Sequence, residues 1–171
     1  MEKFYVAMLQ YIRKSAFLQR TIIAITRYFP MITFILYPCV LLYLFISKSP
    51  FLFETIWKPF AAFLVVTVFR KIVNRPRPYE TMDIKPLVRH KHGESFPSRH
   101  TVSAVIIALV CFHVNIYLGI FALIVAMIMS ICRILAGVHF ISDVLVSVII
   151  LFNSNILIIL LTIIKNLLYC T

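Results

Sequence analysis

"GESFPSRHTVSAVIIALV", residues 93–110, runs from a charged, proline-marked segment straight into uncharged and mostly apolar sequence. No Asp, Glu, Lys or Arg occurs between Arg99 and Arg133. That stretch predicts two membrane spans, over 99–114 and 116–134, joined at Asn115 and Tyr117, since a span takes about 17–25 residues. It also sets Ser98, Arg99 and His100 at the mouth of a long apolar helix. Charged side chains and irregular backbone are costly in lipid and persist there mainly for function.

Outward from this stretch the chain keeps the same character. It has 171 residues, 62% of them hydrophobic, and a mean hydropathy of +0.99, where soluble domains are about 45–50% apolar. Further spans are predicted near 28–46, with kinks expected at Pro30 and Pro38, over 51–69, and over 141–164. Asn153 and Asn155 in the last are expected to hydrogen-bond between helices. Residues 1–20 mix apolar and basic side chains and read as an amphipathic helix in the interface, not as a cleaved leader. The expected fold is an all-α membrane protein of one domain, 1–171, with five transmembrane helices, or six if residues 1–20 insert. Within it lie a catalytic loop at 70–100 and a nucleophile motif at 132–143.

The net charge is +11. Because the basic residues flank spans, anionic headgroups or phosphates are the expected partners, not nucleic acid. Cys39, Cys111, Cys132 and Cys170 are scattered in apolar surroundings and imply neither metal nor disulfide framework.

Three polar clusters interrupt the spans: "RKIVNRPRP" at 70–78, "FPSRH" at 96–100 and "CRILAGVHFISD" at 132–143. A loop joins the first two on one membrane face, and two spans return the third to it. Arg70, Arg77, Arg99 and Arg133 supply forked, permanently charged donors suited to phosphate. Ser98 adds a hydroxyl at a helix start, where free N–H groups favour an anion. His100 and His139 suit nucleophilic or acid–base work near neutral pH. Asp143 lies one helical turn after His139 and can fix its tautomer.

These clusters resemble those of the integral-membrane type 2 phosphatidic acid phosphatases (the PAP2 family), in its bacterial lipid-phosphatase branch. That pattern is Lys, six residues, Arg-Pro; then Pro-Ser-Gly-His; then Ser-Arg, five residues, His, three residues, Asp. This chain has Arg70, six residues, Arg77-Pro78; Pro97-Ser98-Arg99-His100; and Cys132-Arg133, five residues, His139, three residues, Asp143. Three positions depart: Arg70 replaces Lys with its charge kept, Arg99 replaces Gly, and Cys132 replaces Ser at a minor contact. The resemblance implies that His139 forms a phosphohistidine and Asp143 orients it. His100 then protonates the leaving oxygen and activates water, while Arg70, Arg77, Ser98, Arg99 and Arg133 hold the phosphoryl oxygens. It also implies no metal and no cofactor, and the sequence offers no carboxylate cluster for magnesium. The implied substrate is a lipid phosphomonoester or pyrophosphate: undecaprenyl pyrophosphate, phosphatidylglycerol phosphate, phosphatidic acid or a lipid A phosphate. The site is expected at the outer face of a bacterial cell membrane.

Other residues have plainer readings. Lys71, Arg75, Lys85, Arg89 and Lys91 are expected to be span-end topology markers. His90 and His92 are expected in a solvated loop, and His113 at the interface. Two alternatives stand beside the phosphatase: an inactive relative that binds or transports phosphorylated lipid, and a channel or ion transporter. A transporter would want ionisable residues or broken helices at mid-membrane. Oligomeric state is not legible.

Overall fold

The computed structural model describes residues 2–88 and 90–152. Seven helices, α1 Glu2–Lys14, α2 Ala16–Ile46, α3 Leu52–Val73, α4 Pro78–Thr81, α5 Arg99–Cys111, α6 Ile116–Leu135 and α7 Ile141–Phe152, make up the described architecture, with no strand among these residues. α2, α3 and α6 are long and apolar enough to cross a membrane, while α5 and α7 are shorter apolar helices. The chain is an all-α, multi-pass membrane protein. Asn153 and Asn155 lie outside the described residues.

Two boundaries differ from expectation. The interfacial segment is α1 alone, ending at Lys14, and Ser15 caps a new helix through its hydroxyl and the Leu18 N–H. The first span thus begins at Ala16 instead of 28, and its helix continues through Pro30 and Pro38. Arg20 and Arg27 lie in its first turns near the polar face of the molecule, where long basic side chains reach water. The third span is also shorter than expected: α5 ends at Cys111, so its 13 residues rise about 20 Å.

α5 is the hub. It packs against α2, α3, α6 and α7, and Thr101, Val102, Ala104, Val105, Ala108, Val110 and Cys111 are buried along it. Small residues let backbones approach closely in lipid: Ala104 and Ala126 share one buried cluster with Val105 and Met129, and Ala108 and Ala122 share another. The outward faces carry Phe34, Phe45, Phe121, Ile124 and Ile131, all exposed, as a lipid-facing surface requires. α1 does not merely lie on this bundle. Tyr5, Leu9 and Ile12 are buried, and Ile12 packs with Ile22, Cys132, Ala136 and Val138.

The ends of α3 and α6, the starts of α5 and α7, and α1 all meet at one end of the molecule. Asn74 closes α3 in the left-handed region at φ 38°. Gly137, at φ +74°, ends α6, with its N–H on Ile134 O at 2.9 Å and the Val138 N–H on Arg133 O at 3.3 Å. That reversal returns the chain toward the site directly after Arg133.

Candidate active site

Asp143 stands at the third position of α7. Its Oδ2 accepts the Phe140 N–H at 2.9 Å, half of a capping box, and also the Ser95 hydroxyl. Its Oδ1 accepts from Arg75 Nη1 at 2.8 Å. Oδ2 lies 3.4 Å from His139 Nδ1. That contact is too poorly aligned for a hydrogen bond, and Nδ1 has no hydrogen-bond partner. The carboxylate therefore faces the ring closely. Burial, with Arg77 and Arg133 nearby, pulls the His139 pKa down to about 4 against the opposing pull of Asp143, so the ring is neutral near pH 7. A neutral ring is a nucleophile.

Each expected arginine has a fixed place. Arg77 is buried, with Nε on Gly93 O and Nη1 on Val138 O, both at 3.0 Å. Arg70 is buried and holds Pro97 O at 2.6 Å. Arg133 reaches Thr26 O at 3.4 Å. Nε of Arg70 and Nε of Arg133 have no partner. Ser98 N-caps α5. Its own N–H is taken by Ser147 Oγ at 2.9 Å and Asp143 O at 3.2 Å. Its hydroxyl accepts from Thr101 at 3.1 Å and keeps its proton to donate. The next N–H groups of α5, at Arg99, His100 and Thr101, have no intrahelical acceptor. Arg99 is set apart: half-buried, its guanidinium lies 5.7 Å over the Phe63 ring. It lines an apolar groove with His100, Pro30, Phe34 and Ser103.

Two residues read as bystanders belong to the cluster. Arg75, expected as a topology marker, pairs with Asp143, reaches Ser142 Oγ at 2.9 Å and stacks 4.4 Å over Phe140. His90, expected in solvent, lies edge-on to His100 and His139, with ring centroids 6.1 and 6.3 Å apart. Only the sequence neighbour of each carried a signal: Arg75 sits two residues before Arg77, and His90 beside a run of basic residues. His92 does face out, against Glu80, and His113 stacks on Phe51. Cys132 packs in an apolar cluster instead of facing the arginines. Among the described residues, no three His, Cys, Asp or Glu side chains are grouped to hold a metal ion.

The sequence matches the family model of the PAP2 superfamily over residues 51–165. Among solved structures, Aquifex aeolicus LpxE is similar, at 27% identity and a TM-score of 0.61, covering 94% of each chain. A transmembrane PAP2-type phosphatidylglycerolphosphate phosphatase from Bacillus subtilis aligns at 20% identity and a TM-score of 0.49, over 96% of this chain and 92% of that one. No curated protein sequence matches significantly.

Proposed function

Since the chain belongs to the PAP2 superfamily, we propose that it is a metal-independent phosphatase of membrane lipids, acting as a single membrane domain through a phosphohistidine. One observation carries the reading. Four buried side-chain polar atoms among the described residues lack a partner, and three of them, Arg70 Nε, Arg133 Nε and His139 Nδ1, belong to this cluster. Clustered buried arginines repel one another, and orphaned donors cost about 1–3 kcal/mol each. A phosphoryl group supplies acceptors for the two arginine donors and the opposite charge together, while His139 Nδ1 has the Asp143 carboxylate beside it.

In this reading Arg70, Arg77, Arg133 and the N-terminal N–H groups of α5 bind the non-bridging oxygens, with the Ser98 hydroxyl as a further donor. Asp143 holds the proton on His139 Nδ1, leaving the Nε2 lone pair to attack phosphorus. The bond to the lipid oxygen breaks, and that oxygen takes a proton from His100. His100 then removes a proton from water as the water oxygen attacks phosphorus. The P–N bond breaks, inorganic phosphate leaves and His139 is restored. Arg99, in its apolar groove, would meet the headgroup edge of the lipid.

The test is phosphate release by purified protein from a panel of undecaprenyl pyrophosphate, phosphatidylglycerol phosphate, phosphatidic acid and lipid A phosphate. At least one should turn over in excess chelator, and His139→Ala should abolish it while the protein still elutes as a folded species. Strict magnesium dependence, or substantial activity in His139→Ala, would sink the mechanism.

A further inference from the structure

His90 is not among the residues that the resemblance assigns a role, yet it is placed like one that has one. It lines a cleft of about 390 Å³ together with His100, Arg133, Thr26, Arg27 and Val88. Its ring is edge-on to both His100 and His139. His139 is only 1% exposed and does not line the cleft. An oxyanion arriving through the cleft therefore meets His90, His100 and Arg133 before it reaches His139.

The His90 tautomer is set by its own backbone. Nδ1 accepts the Lys91 N–H at 3.1 Å, so in the neutral ring the proton sits on Nε2. This is the only hydrogen bond the ring makes among the described residues. The loop that carries it is pinned just beyond it. Tyr79 donates to Lys91 O at 2.7 Å, and the Gly93 N–H donates to Glu80 at 2.9 and 3.0 Å. Burial first, then Arg77 and Arg133, hold the His90 pKa down to about 3, so the ring adds no positive charge to a region already rich in it. His92, two residues on, is placed differently: its side chain is exposed and its Nδ1 faces Glu80 at 3.0 Å.

We propose that His90 is a third imidazole of the phosphate site, whose Nε2–H donates a hydrogen bond to a non-bridging oxygen of the bound phosphoryl group. The proposal takes the oxyanion to be a lipid phosphate, and to that extent rests on the phosphatase reading above. It makes His90 part of the binding surface and its loop more than a connection.

The probe is orthovanadate, with its binding to the purified full chain in detergent measured directly by calorimetry and lipid-phosphate turnover measured in parallel. His90→Phe keeps the ring and removes the donor. It should weaken orthovanadate binding about 10- to 100-fold, the range for a hydrogen bond to a charged group. His90→Gln, whose amide nitrogen can stand in for Nε2, should recover most of that loss. His92→Ala should bind as wild type does. Wild-type affinity in His90→Phe would overturn the proposal, as would a His92→Ala loss as large as that of His90→Phe. The two readings separate cleanly. Turnover with His90-independent vanadate binding removes His90 alone. His90-dependent vanadate binding without turnover of any lipid phosphate removes the lipid-phosphatase reading and leaves the oxyanion ligand in place.

Discussion

At the scale of single residues, the decisive group is the Asp143 carboxylate, fully buried and engaged on both oxygens. Arg75 neutralises one oxygen, while the other serves Phe140 N–H and Ser95 and faces His139. On the proposed function, Arg75 is a positioning residue for the His139–Asp143 pair. Removing it leaves a buried carboxylate short of the only charged hydrogen-bond donor it has among the described residues, a change worth about 1–3 kcal/mol. We expect Arg75→Gln to lower kcat about tenfold with little change in KM, and Arg75→Lys to restore part of the loss. Steady-state kinetics on the best lipid substrate will measure both. Unchanged kcat in Arg75→Gln would mean that the pair is held without it. The spacing of four made His139 and Asp143 legible as a pair, but not as one helical turn: α7 begins only at Ile141, so His139 stands in the turn before it and Asp143 reaches back from the third helical position. The sequence left Arg75 and His90 illegible because their roles depend on long-range contacts, from 75 to 143 and from 90 to 100 and 139. A basic residue at a span end looks the same whether it snorkels or pairs.

At the scale of elements, the loop between α3 and α5 does more than connect. Glu80 accepts the Arg77 N–H at 2.7 Å and the Gly93 N–H, while Gly93 O accepts Arg77 Nε at 3.0 Å. One glycine thus links the loop to the arginine that reaches Val138, next to His139. Gly93 has φ +64°, and an added Cβ would stand 2.5 Å from Asn74 Oδ1, the group that accepts the Glu94 N–H. The left-handed conformation alone costs about 1–2 kcal/mol for a residue with a Cβ, and the overlap adds to it. Gly93→Ala should therefore lower the thermal midpoint in detergent and reduce turnover together, because the strain falls on Arg77. A variant with wild-type midpoint and turnover would show that the loop does not position Arg77. Helix content was readable from apolar runs, and the edges were not. The first span reaches back to Ala16 past Arg20 and Arg27, because a helix can carry basic residues where it leaves the lipid. The docking of α1 was hidden as well. An amphipathic pattern shows a buried face but not whether lipid or protein covers it, and here Tyr5 is fully buried beside His139 O.

At the scale of the whole molecule, α1, the 74–98 loop and the α6–α7 turn share one end, where Tyr5 touches His139 O and Arg13 donates to Lys85 O. Lys3, Arg13, Lys14, Lys85 and Lys91 therefore lie on the side of the proposed active site, and the 47–50 turn with Lys48 lies at the other end. Counted as topology signals, these charges place the catalytic end in the cytoplasm. The other basic residues at this end add nothing to the count: Arg70, Arg77 and Arg133 are buried, and Arg75 is bound to Asp143. A basic residue committed to the site carries no orientation information. Those that remain, on α1 and the exposed rim, also suit a surface that collects anionic lipid headgroups. We therefore expect the site to face outward. Lys91 is exposed on that rim, and Lys91→Cys in a background with the four native cysteines replaced gives one reporter thiol. A membrane-impermeant maleimide should label it in intact cells. Labelling only after permeabilisation would place the site in the cytoplasm and show that the rim charges on α1 and the loop do set orientation.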